Sequence, residues 1–324
     1  MYTQYIGPID REDLVASTPL IEKAVRMLQQ GQLVAFPTET IYGLGASILN
    51  EDAIERLYRV KNRPKDRALP IHVASFHQMK FIVADIPKEC ELLASIYLPG
   101  PLTIVLKKKP NLSSRITGGK DTVAVRFSSD PITQRLIEMT GCPVAGPSAN
   151  ISGKPSPIRA SHVMEDFNGR IDGIVDGGET ELGVESTVLS LENPSAPVIL
   201  RLGSISPCAI ESVLKRSVQV HPVALLRKGN SSPHKLRSAV RLFSCWDEMR
   251  IYLKLSCPGK RLIMSTDESP LKTGGDHFKL SAKNLYEGLR LADREGYAEV
   301  LVHCSPILNQ NELLLGRLKQ IART

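Results

Sequence analysis

The sequence predicts an α/β protein with two domains. Helical and strand-like patterns alternate over the first 215 residues, and a shorter alternation of the same kind ends the chain. A basic stretch that is rich in proline, glycine and serine separates the two runs. At 324 residues the chain is also longer than a usual domain of about 100–200 residues. Its 42% hydrophobic and 23% charged residues are ordinary for a globular protein.

The first domain begins with an amphipathic helix. Thr18 and Pro19 are typical of a helix start, apolar residues follow at helical spacing, and Gly31 ends the pattern. A short strand is predicted for residues 33–36 and a loop rich in threonine and glycine for residues 38–47. A helix is expected around 54–58 and another over 207–215, with strands at 69–74, 102–106, 122–127, 173–176, 186–191 and 198–202. The sheet should be mixed.

The second domain is predicted as a small α/β unit. Strands are expected at 261–265 and 299–303, and helices at 284–294 and 312–321. We therefore predict a catalytic domain over 14–215, a basic linker over 216–240 and a C-terminal α/β domain over 241–324.

The charge of the chain is concentrated around the linker. Residues 213–261 hold eleven Lys or Arg side chains against two acidic ones, within a net charge of +7 for the whole chain. Such a stretch can attract nucleic acid or polyphosphate, but charge alone favours a solvated linker that stays extended by self-repulsion.

Several classes of protein are not expected. No apolar run approaches the roughly 18 residues that cross a bilayer, and the N-terminus lacks the pattern of a signal peptide, so a cytoplasmic protein is predicted. The six cysteines are scattered without a CxxC pair, which argues against a zinc or redox centre.

A cluster of cations follows the second predicted helix. It comprises Arg59, Lys61, Arg63, Lys65 and Arg67. Arginine forks and lysine ammonium groups suit the oxygens of a polyphosphate. The competing interpretation is a solvated helix end, where cations are favoured by the helix dipole.

A loop of small residues follows the apolar pair at 144–145. Residues 146–157 read Gly-Pro-Ser-Ala-Asn-Ile-Ser-Gly-Lys-Pro-Ser-Pro, so backbone amides and hydroxyls can approach a phosphate closely. The spacing is not that of a P-loop, and a plain loop is the alternative.

Polar side chains also interrupt strand-like sequence, where a charge is costly unless it is paired. They are His72, Arg126, Glu185, Ser186 and Arg201. Taken one at a time, each is better explained as a structural ion pair or a satisfied core residue.

Three motifs together resemble one family. They are residues 36–45 (Phe-Pro-Thr-Glu-Thr-Ile-Tyr-Gly-Leu-Gly), the Lys-Asn-Arg-Pro turn at 61–64, and Pro-Ser-Ala-Asn at 147–150 followed by Ser-Gly at 152–153. In this order they are similar to the YrdC-like threonylcarbamoyladenylate synthases, over about residues 14–215. Residues 284–322 resemble the small, Rossmann-like C-terminal domain of the two-domain form of this family.

The resemblance implies two sets of binding residues. The ATP set falls on Lys61, Arg63, Arg67, Thr122, Ser148, Ser156 and Arg201. The threonine set falls on Thr40, His72, Arg126, Gly146 and Ser186, with Arg126 suited to grip the carboxylate of the amino acid. No single catalytic residue is implied, although Lys61 and Arg63 would stabilise phosphate charge.

The implied reaction makes threonylcarbamoyl-AMP and pyrophosphate from L-threonine, bicarbonate and ATP, for N6-threonylcarbamoyladenosine modification of tRNA. Alignment of the reactants and neutralisation of phosphate charge would supply the catalysis, without a protein nucleophile. Mg²⁺ is expected with ATP, held mainly through phosphates. The product would pass to a tRNA threonylcarbamoyltransferase complex, and a direct tRNA contact is left open.

Two other functions compete with this one. A basic surface could bind RNA without chemistry, but only 5% of residues are aromatic, which gives base stacking little support. A carbamoyl-transfer domain of hydrogenase maturation would carry zinc modules that the sequence lacks.

The chain departs from the family at three places. Gly146 stands where alanine or serine is common, and Arg67 with Ala68 where Asn-Pro is common. Relatives carry a His-Tyr pair in the linker, whereas residues 231–237 contain no tyrosine.

We expect the linker to fold over the catalytic cleft with the cations Arg227, Lys228, Lys235 and Arg237 near the phosphates.

Overall fold

The computed structural model describes residues 2–222, 236–256, 259–271 and 273–322. The chain divides into two compact units, Met1–Ser152 with Ser156–Asn230 and Gly153–Pro155 with Ser231–Thr324. Most of the predicted linker lies outside the described residues, and so do three of the four cations expected to cover the cleft. The lid and the exact domain boundaries therefore stay predictions.

The first unit is built on one mixed, 11-stranded sheet, in the order β1-β8-β2-β3-β7-β4-β6-β5-β9-β10-β11. The strands are β1 (Gln4–Ile6), β2 (Val34–Phe36), β3 (Gly43–Ser47), β4 (Ile71–His72), β5 (Leu102–Lys107), β6 (Thr122–Arg126), β7 (Val144–Ala145), β8 (Gly173–Val175), β9 (Thr187–Ser190), β10 (Val198–Arg201) and β11 (Gln219–Val220). The sheet contains parallel pairs, such as β4 with β6, and antiparallel pairs, such as β5 with β6. This confirms the predicted mixed α/β class.

Helices of the first unit pack their apolar faces on this sheet. They are α1 (Thr18–Gln29), α2 (Glu51–Lys61), α3 (Phe76–Ile82), α4 (Lys88–Tyr97), α5 (Ser114–Thr117), α6 (Pro131–Thr140), α7 (Ala160–Phe167) and α8 (Pro207–Leu214). α1 begins as its sequence predicts, with proline in the first turn and Ile21 and Leu28 fully buried. The side chain of Asn50 accepts a hydrogen bond from the backbone of Ala53 and so caps α2.

One predicted loop is in part a strand. Residues 38–47 were expected to be irregular, but 43–47 form β3, which is antiparallel to both β2 and β7. A Cβ atom at Gly45 would lie 2.9 Å from the ring of Phe36 and 3.0 Å from the carbonyl oxygen of Val34. Glycine is thus required by close packing of the strand, whereas by sequence pattern alone it indicates a turn.

The second unit contains a four-stranded parallel sheet in the order β12-β15-β13-β14. Its strands are β12 (Ala239–Phe243), β13 (Arg261–Ser265), β14 (Asp276–Lys279) and β15 (Glu299–His303), and its helices are α9 (Trp246–Leu255), α10 (Leu285–Arg294), α11 (Pro306–Gln310) and α12 (Glu312–Ile321). The elements predicted at 261–265, 299–303 and 312–321 have the predicted bounds, and β12, β14, α9 and α11 are additional. In the part of the chain that the structure describes, no helix is long and apolar enough to cross a membrane.

Candidate active site

A buried charge cluster joins the Thr38–Thr40 loop to the end of β6. Nη2 of Arg126 donates to Oε1 of Glu39 at 2.9 Å and to Oγ1 of Thr40, and the hydroxyl of Ser128 donates to Oε2 of Glu39. Glu39 and Arg126 are only 4% and 7% exposed. The loop is fixed locally by Thr38, whose hydroxyl donates to the carbonyl of Ile41 at 2.6 Å.

The pair is charged in spite of its burial. Burial raises the pKa of Glu39, but the charge of Arg126 and the hydrogen bonds from Ser128 and Arg126 outweigh it, so the net pKa is lowered. The cluster is therefore a buried ion pair in which Nε of the guanidinium takes no part. Nε of Arg126 is buried and has no hydrogen-bond partner among the described residues.

His72 lies beside Arg126 in the neighbouring parallel strand, because the two residues are register partners in β4 and β6. Its Nε2 is 3.1 Å from the carbonyl oxygen of Gly146, and its ring meets that of Phe36 edge-on. Burial, and then the charge of Arg126, lower the pKa of His72 to about 3, so the imidazole is neutral at physiological pH. Nδ1 has no hydrogen-bond partner within the described ranges.

The glycine at position 146 fits this arrangement. A Cβ atom there would lie 2.7 Å from Cδ2 of His72 and 3.0 Å from the ring of Phe36. The imidazole thus occupies space that a methyl group would need. Glycine is therefore the residue that fits this close packing against His72 and Phe36.

Ser186 links the two predicted sets of binding residues. Its hydroxyl lies 2.8 Å from that of Thr103 on β5, which is itself the register partner of Arg126. Arg201 donates from Nη2 to the Ser186 hydroxyl at 2.9 Å and from Nε to the Ser186 carbonyl oxygen at 3.0 Å. One residue of the ATP set therefore directly contacts one residue of the threonine set.

Lys61 is buried at the end of α2. Only 1% of the residue is exposed, and Nζ donates to the carbonyl oxygens of Ser148 and Asn150. Burial, and then the charge of Arg63, hold the pKa of Lys61 well below its usual range. The backbone N–H of Ser152 donates to the Lys61 carbonyl at 2.8 Å, so both ends of the lysine hold the small-residue loop in place.

The remaining predicted ATP residues lie at the turn after α2 and on the loop. Arg63 donates to the carbonyl oxygens of Arg67 and Ala68, at 3.2 and 2.7 Å, and its burial lowers its pKa to about 10. The hydroxyl of Ser156 donates to Oε1 of Glu185 at 3.0 Å. Thr122 begins β6 opposite Lys107.

The structure thus joins Thr40, His72, Arg126, Gly146 and Ser186 through direct contacts or register pairing. Lys61 contacts Ser148, and Arg201 contacts Ser186. The contacts described above do not connect Arg63, Arg67, Thr122 or Ser156 to this group. The roles of both predicted sets in binding ATP and threonine stay predictions.

Three residues of the cluster were not singled out from the sequence: Glu39, Ser128 and Thr103. Glu39 carried a signal, because a carboxylate between two threonines, just after an apolar strand, needs a partner once it is buried. Ser128 and Thr103 carried none, since a hydroxyl in or beside a strand is commonplace.

Comparison with known proteins identifies the family. Residues 26–203 match the family model Sua5/YciO/YrdC, which is described as "Telomere recombination". A threonylcarbamoyl-AMP synthase of Pyrococcus abyssi is 42% identical over 300 residues, 87% of either chain, and one of Bacillus subtilis is 46% identical over 204 residues, 63% of this chain and 59% of that protein. The crystal structure of P. abyssi Sua5 complexed with L-threonine matches with a TM-score of 0.86 and 37% identity, covering 99% of this chain and 98% of that chain. The chain belongs to the Sua5/YciO/YrdC family.

Proposed function

We propose that this chain is a threonylcarbamoyl-AMP synthase, which converts L-threonine, bicarbonate and ATP into threonylcarbamoyl-AMP and pyrophosphate. The observation that carries the proposal is the buried Arg126 cluster, in which Nε of Arg126 and Nδ1 of its register partner His72 both lack a partner, in a fold that matches a Sua5 bound to L-threonine. Buried polar atoms without partners are rare in proteins, and they are expected where a ligand supplies the partner.

In this proposal Arg126 binds the carboxylate of L-threonine. Nη2 already donates to Glu39 and Thr40, so Nε is the donor that is left on the buried side of the guanidinium. Glu39 holds the fork in one orientation, which limits the entropy lost when the substrate binds. His72 stays neutral and can hydrogen-bond the substrate without adding a second positive charge.

The amine of threonine then takes up carbon dioxide, or bicarbonate with loss of water, to form a carbamate. An oxygen of the carbamate attacks the α-phosphorus of ATP and the bond to pyrophosphate breaks. This chain has to align two anionic reactants and to neutralise charge on the phosphates. Arg201 is suited to this task because it is anchored to Ser186 at the proposed threonine site.

Lys61 acts on ATP through the small-residue loop in this scheme. By holding the carbonyl groups of Ser148 and Asn150, it fixes the direction of the loop backbone on which Ser148 and Ser156 are carried. A preorganised loop stabilises developing phosphate charge at no cost in reorganisation.

ATP is proposed to enter as its magnesium complex, with the ion bound mainly through phosphates and water. The described residues contain no group of three or more His, Cys, Asp or Glu side chains suited to a protein-held metal. The product would pass to a tRNA threonylcarbamoyltransferase complex, which would place the enzyme in the cytoplasm. The alternative of a purely RNA-binding module is disfavoured, because the relatives are named as synthases.

The test uses the purified full-length chain with ATP and Mg²⁺. Pyrophosphate release should require both threonine and bicarbonate, and mass spectrometry should detect threonylcarbamoyl-AMP. Serine in place of threonine is the matched control. Pyrophosphate release that is independent of threonine, or RNA binding without any turnover, would contradict the proposal.

A further inference from the structure

The second unit has the topology of an α/β ligand-binding sheet. β13 and β15 are neighbours in the middle of the sheet. The chain leaves β13 towards β14 at one edge of the sheet, and it leaves β15 towards β12 at the other edge, where α12 packs. The order of the parallel strands therefore reverses between β13 and β15. In open α/β sheets, ligands bind in the crevice at the carboxyl ends of strands at such a reversal.

A polar cluster occupies this position. The hydroxyls of Thr266, after β13, and Ser305, after β15, are 2.7 Å apart, and Thr266 also donates to Oδ1 of Asp267 at 2.8 Å. Oδ2 of Asp267 lies 4.0 Å from Nδ1 of His303, the last residue of β15. That separation is too long for a hydrogen bond, yet one ligand atom could reach both groups.

His303 is the member of the cluster that lacks a partner. The residue is 5% exposed, and Nδ1 makes no hydrogen bond within the described part of the chain. Burial lowers the pKa of His303, so the ring is neutral and can bond a hydroxyl group. A buried ring nitrogen without a partner calls for an explanation, and a ligand in the crevice supplies one.

Trp246 forms a wall of the same place. It begins α9 directly after β12 and stacks on His303, with ring centroids 4.0 Å apart and an interplanar angle of 22°. Trp246 is half-buried, so part of its surface is available to a second flat ring. It is also the single tryptophan of the chain.

We propose that the crevice between the carboxyl ends of β13 and β15 binds a nucleoside. An acidic side chain that follows a strand end is a common acceptor for ribose hydroxyls, and Asp267 has this position. His303 would bond a ribose oxygen, and the base would lie against Trp246. The segment after β12, Ser244–Cys245–Trp246, lacks the glycines that admit a pyrophosphate, so a dinucleotide is not expected.

Trp246 allows the site to be tested in the intact protein. Its fluorescence is followed while adenosine is added to the full-length chain without ATP, because ATP carries the same nucleoside and would compete for the crevice. We expect a saturable change in emission for adenosine and at least about tenfold weaker binding for 2′-deoxyadenosine, which lacks one hydroxyl. This comparison needs no variant.

Two variants complete the test. Asp267→Asn should weaken adenosine binding by about tenfold or more, because the charged acceptor is lost. Asp247→Asn is the matched control, since Asp247 is the exposed neighbour of Trp246 and pairs with Arg250 outside the crevice. No saturable change, or equal binding of adenosine and deoxyadenosine by the wild-type chain, would overturn the proposal. Pyrophosphate release is measured separately, so failure here leaves the proposed function untouched.

Discussion

Arg126 is the residue on which the proposed threonine site depends most. Its guanidinium is buried, and Nη2 donates to Glu39 and Thr40. Nε has no partner among the described residues, so it is the nitrogen that can donate to a further acceptor. Family resemblance predicts that Arg126 binds the carboxylate of threonine. It could not show that Glu39 shares the guanidinium, because the two residues are 87 positions apart in the chain.

Removing Arg126 should weaken threonine binding far more than ATP binding. Loss of a charged hydrogen bond costs about 1.5–3 kcal/mol, which is roughly ten- to a hundredfold in affinity. Arg126→Ala alone would bury an unpaired carboxylate, so it is best combined with Glu39→Gln. Calorimetric titration gives the two affinities, and Arg135→Ala on the exposed face of α6 is the control. Wild-type threonine affinity in a folded double variant would refute the assignment.

His72 should make the stability of the first unit sensitive to acid. Its folded pKa of about 3 is below the unfolded value of 6.5, so the unfolded chain binds the proton more readily. The contribution of neutral His72 to the free energy of unfolding is complete above pH 6.5. It is lost as the pH falls towards 3, at about 1.4 kcal/mol per pH unit. Between pH 7 and 5 the free energy of unfolding should drop by about 2 kcal/mol through this group.

Chemical denaturation at the two pH values measures this effect. His72→Asn should lose less stability on acidification than the wild type, by about the same 2 kcal/mol. His77→Asn, on the exposed side of α3, should behave like the wild type. Identical acid sensitivity in His72→Asn and wild type would mean that His72 is not neutral in the folded protein.

Among the elements, β3 shows why a glycine-rich segment can be a strand. Its two glycines face the ring of Phe36, and an added Cβ at Gly45 would contact backbone as well as side chain. Gly45→Ala should therefore destabilise the first unit by about 1–3 kcal/mol through overpacking.

The same substitution elsewhere provides the control. Gly316 lies inside α12, and a Cβ atom there would meet nothing within 4 Å. Gly316→Ala should stabilise the helix by about 0.5–1 kcal/mol, because alanine has the higher helix propensity. Thermal denaturation of both variants checks the opposite signs. A neutral Gly45→Ala would show that β2 and β3 can separate without loss.

Elements with a long, regular apolar pattern could be predicted from the sequence. α1, β5, β13 and α12 are examples, because each buries several apolar residues at the spacing of its structure. Three very short strands could not be predicted. β1, β7 and β11 contain only two or three residues, and they are strands because of their partners in the sheet rather than their own sequence.

The candidate site, too, could be predicted only in part from the sequence. The residues that the resemblance assigns to threonine, Thr40, His72, Arg126, Gly146 and Ser186, lie in one network of contacts and register pairs, and their role in binding threonine stays a prediction. The role of Lys61 as an anchor for backbone carbonyl groups could not be predicted, because it depends on where the loop 148–150 returns to α2. A lysine in a basic turn gives no sign that it is buried.

At the scale of the whole molecule, the division into two compact units predicts that the first unit can fold without the second. Its hydrophobic cores are formed by residues from Ile6 to Val220, all within that unit. The same cores show that the end of the first unit lies beyond residue 215. Val218 is 7% exposed, and β11 pairs with β10 in parallel register.

We therefore expect a chain of residues 1–222 to fold and to bind threonine, and a chain of residues 1–215 to be less stable. The shorter chain loses β11, which exposes the edge of β10, and the burial of Val218, which by itself is worth about 1.5–3 kcal/mol. Chemical denaturation measures the free energy of unfolding of each chain, and calorimetry measures the affinity of each chain for threonine. Because β9 and β10 carry or flank Ser186 and Arg201, fraying of this edge in the shorter chain should also reduce the binding of threonine. Equal stability of the two chains would show that β11 adds nothing to the sheet. Failure of residues 1–222 to fold would mean that the first unit depends on the second.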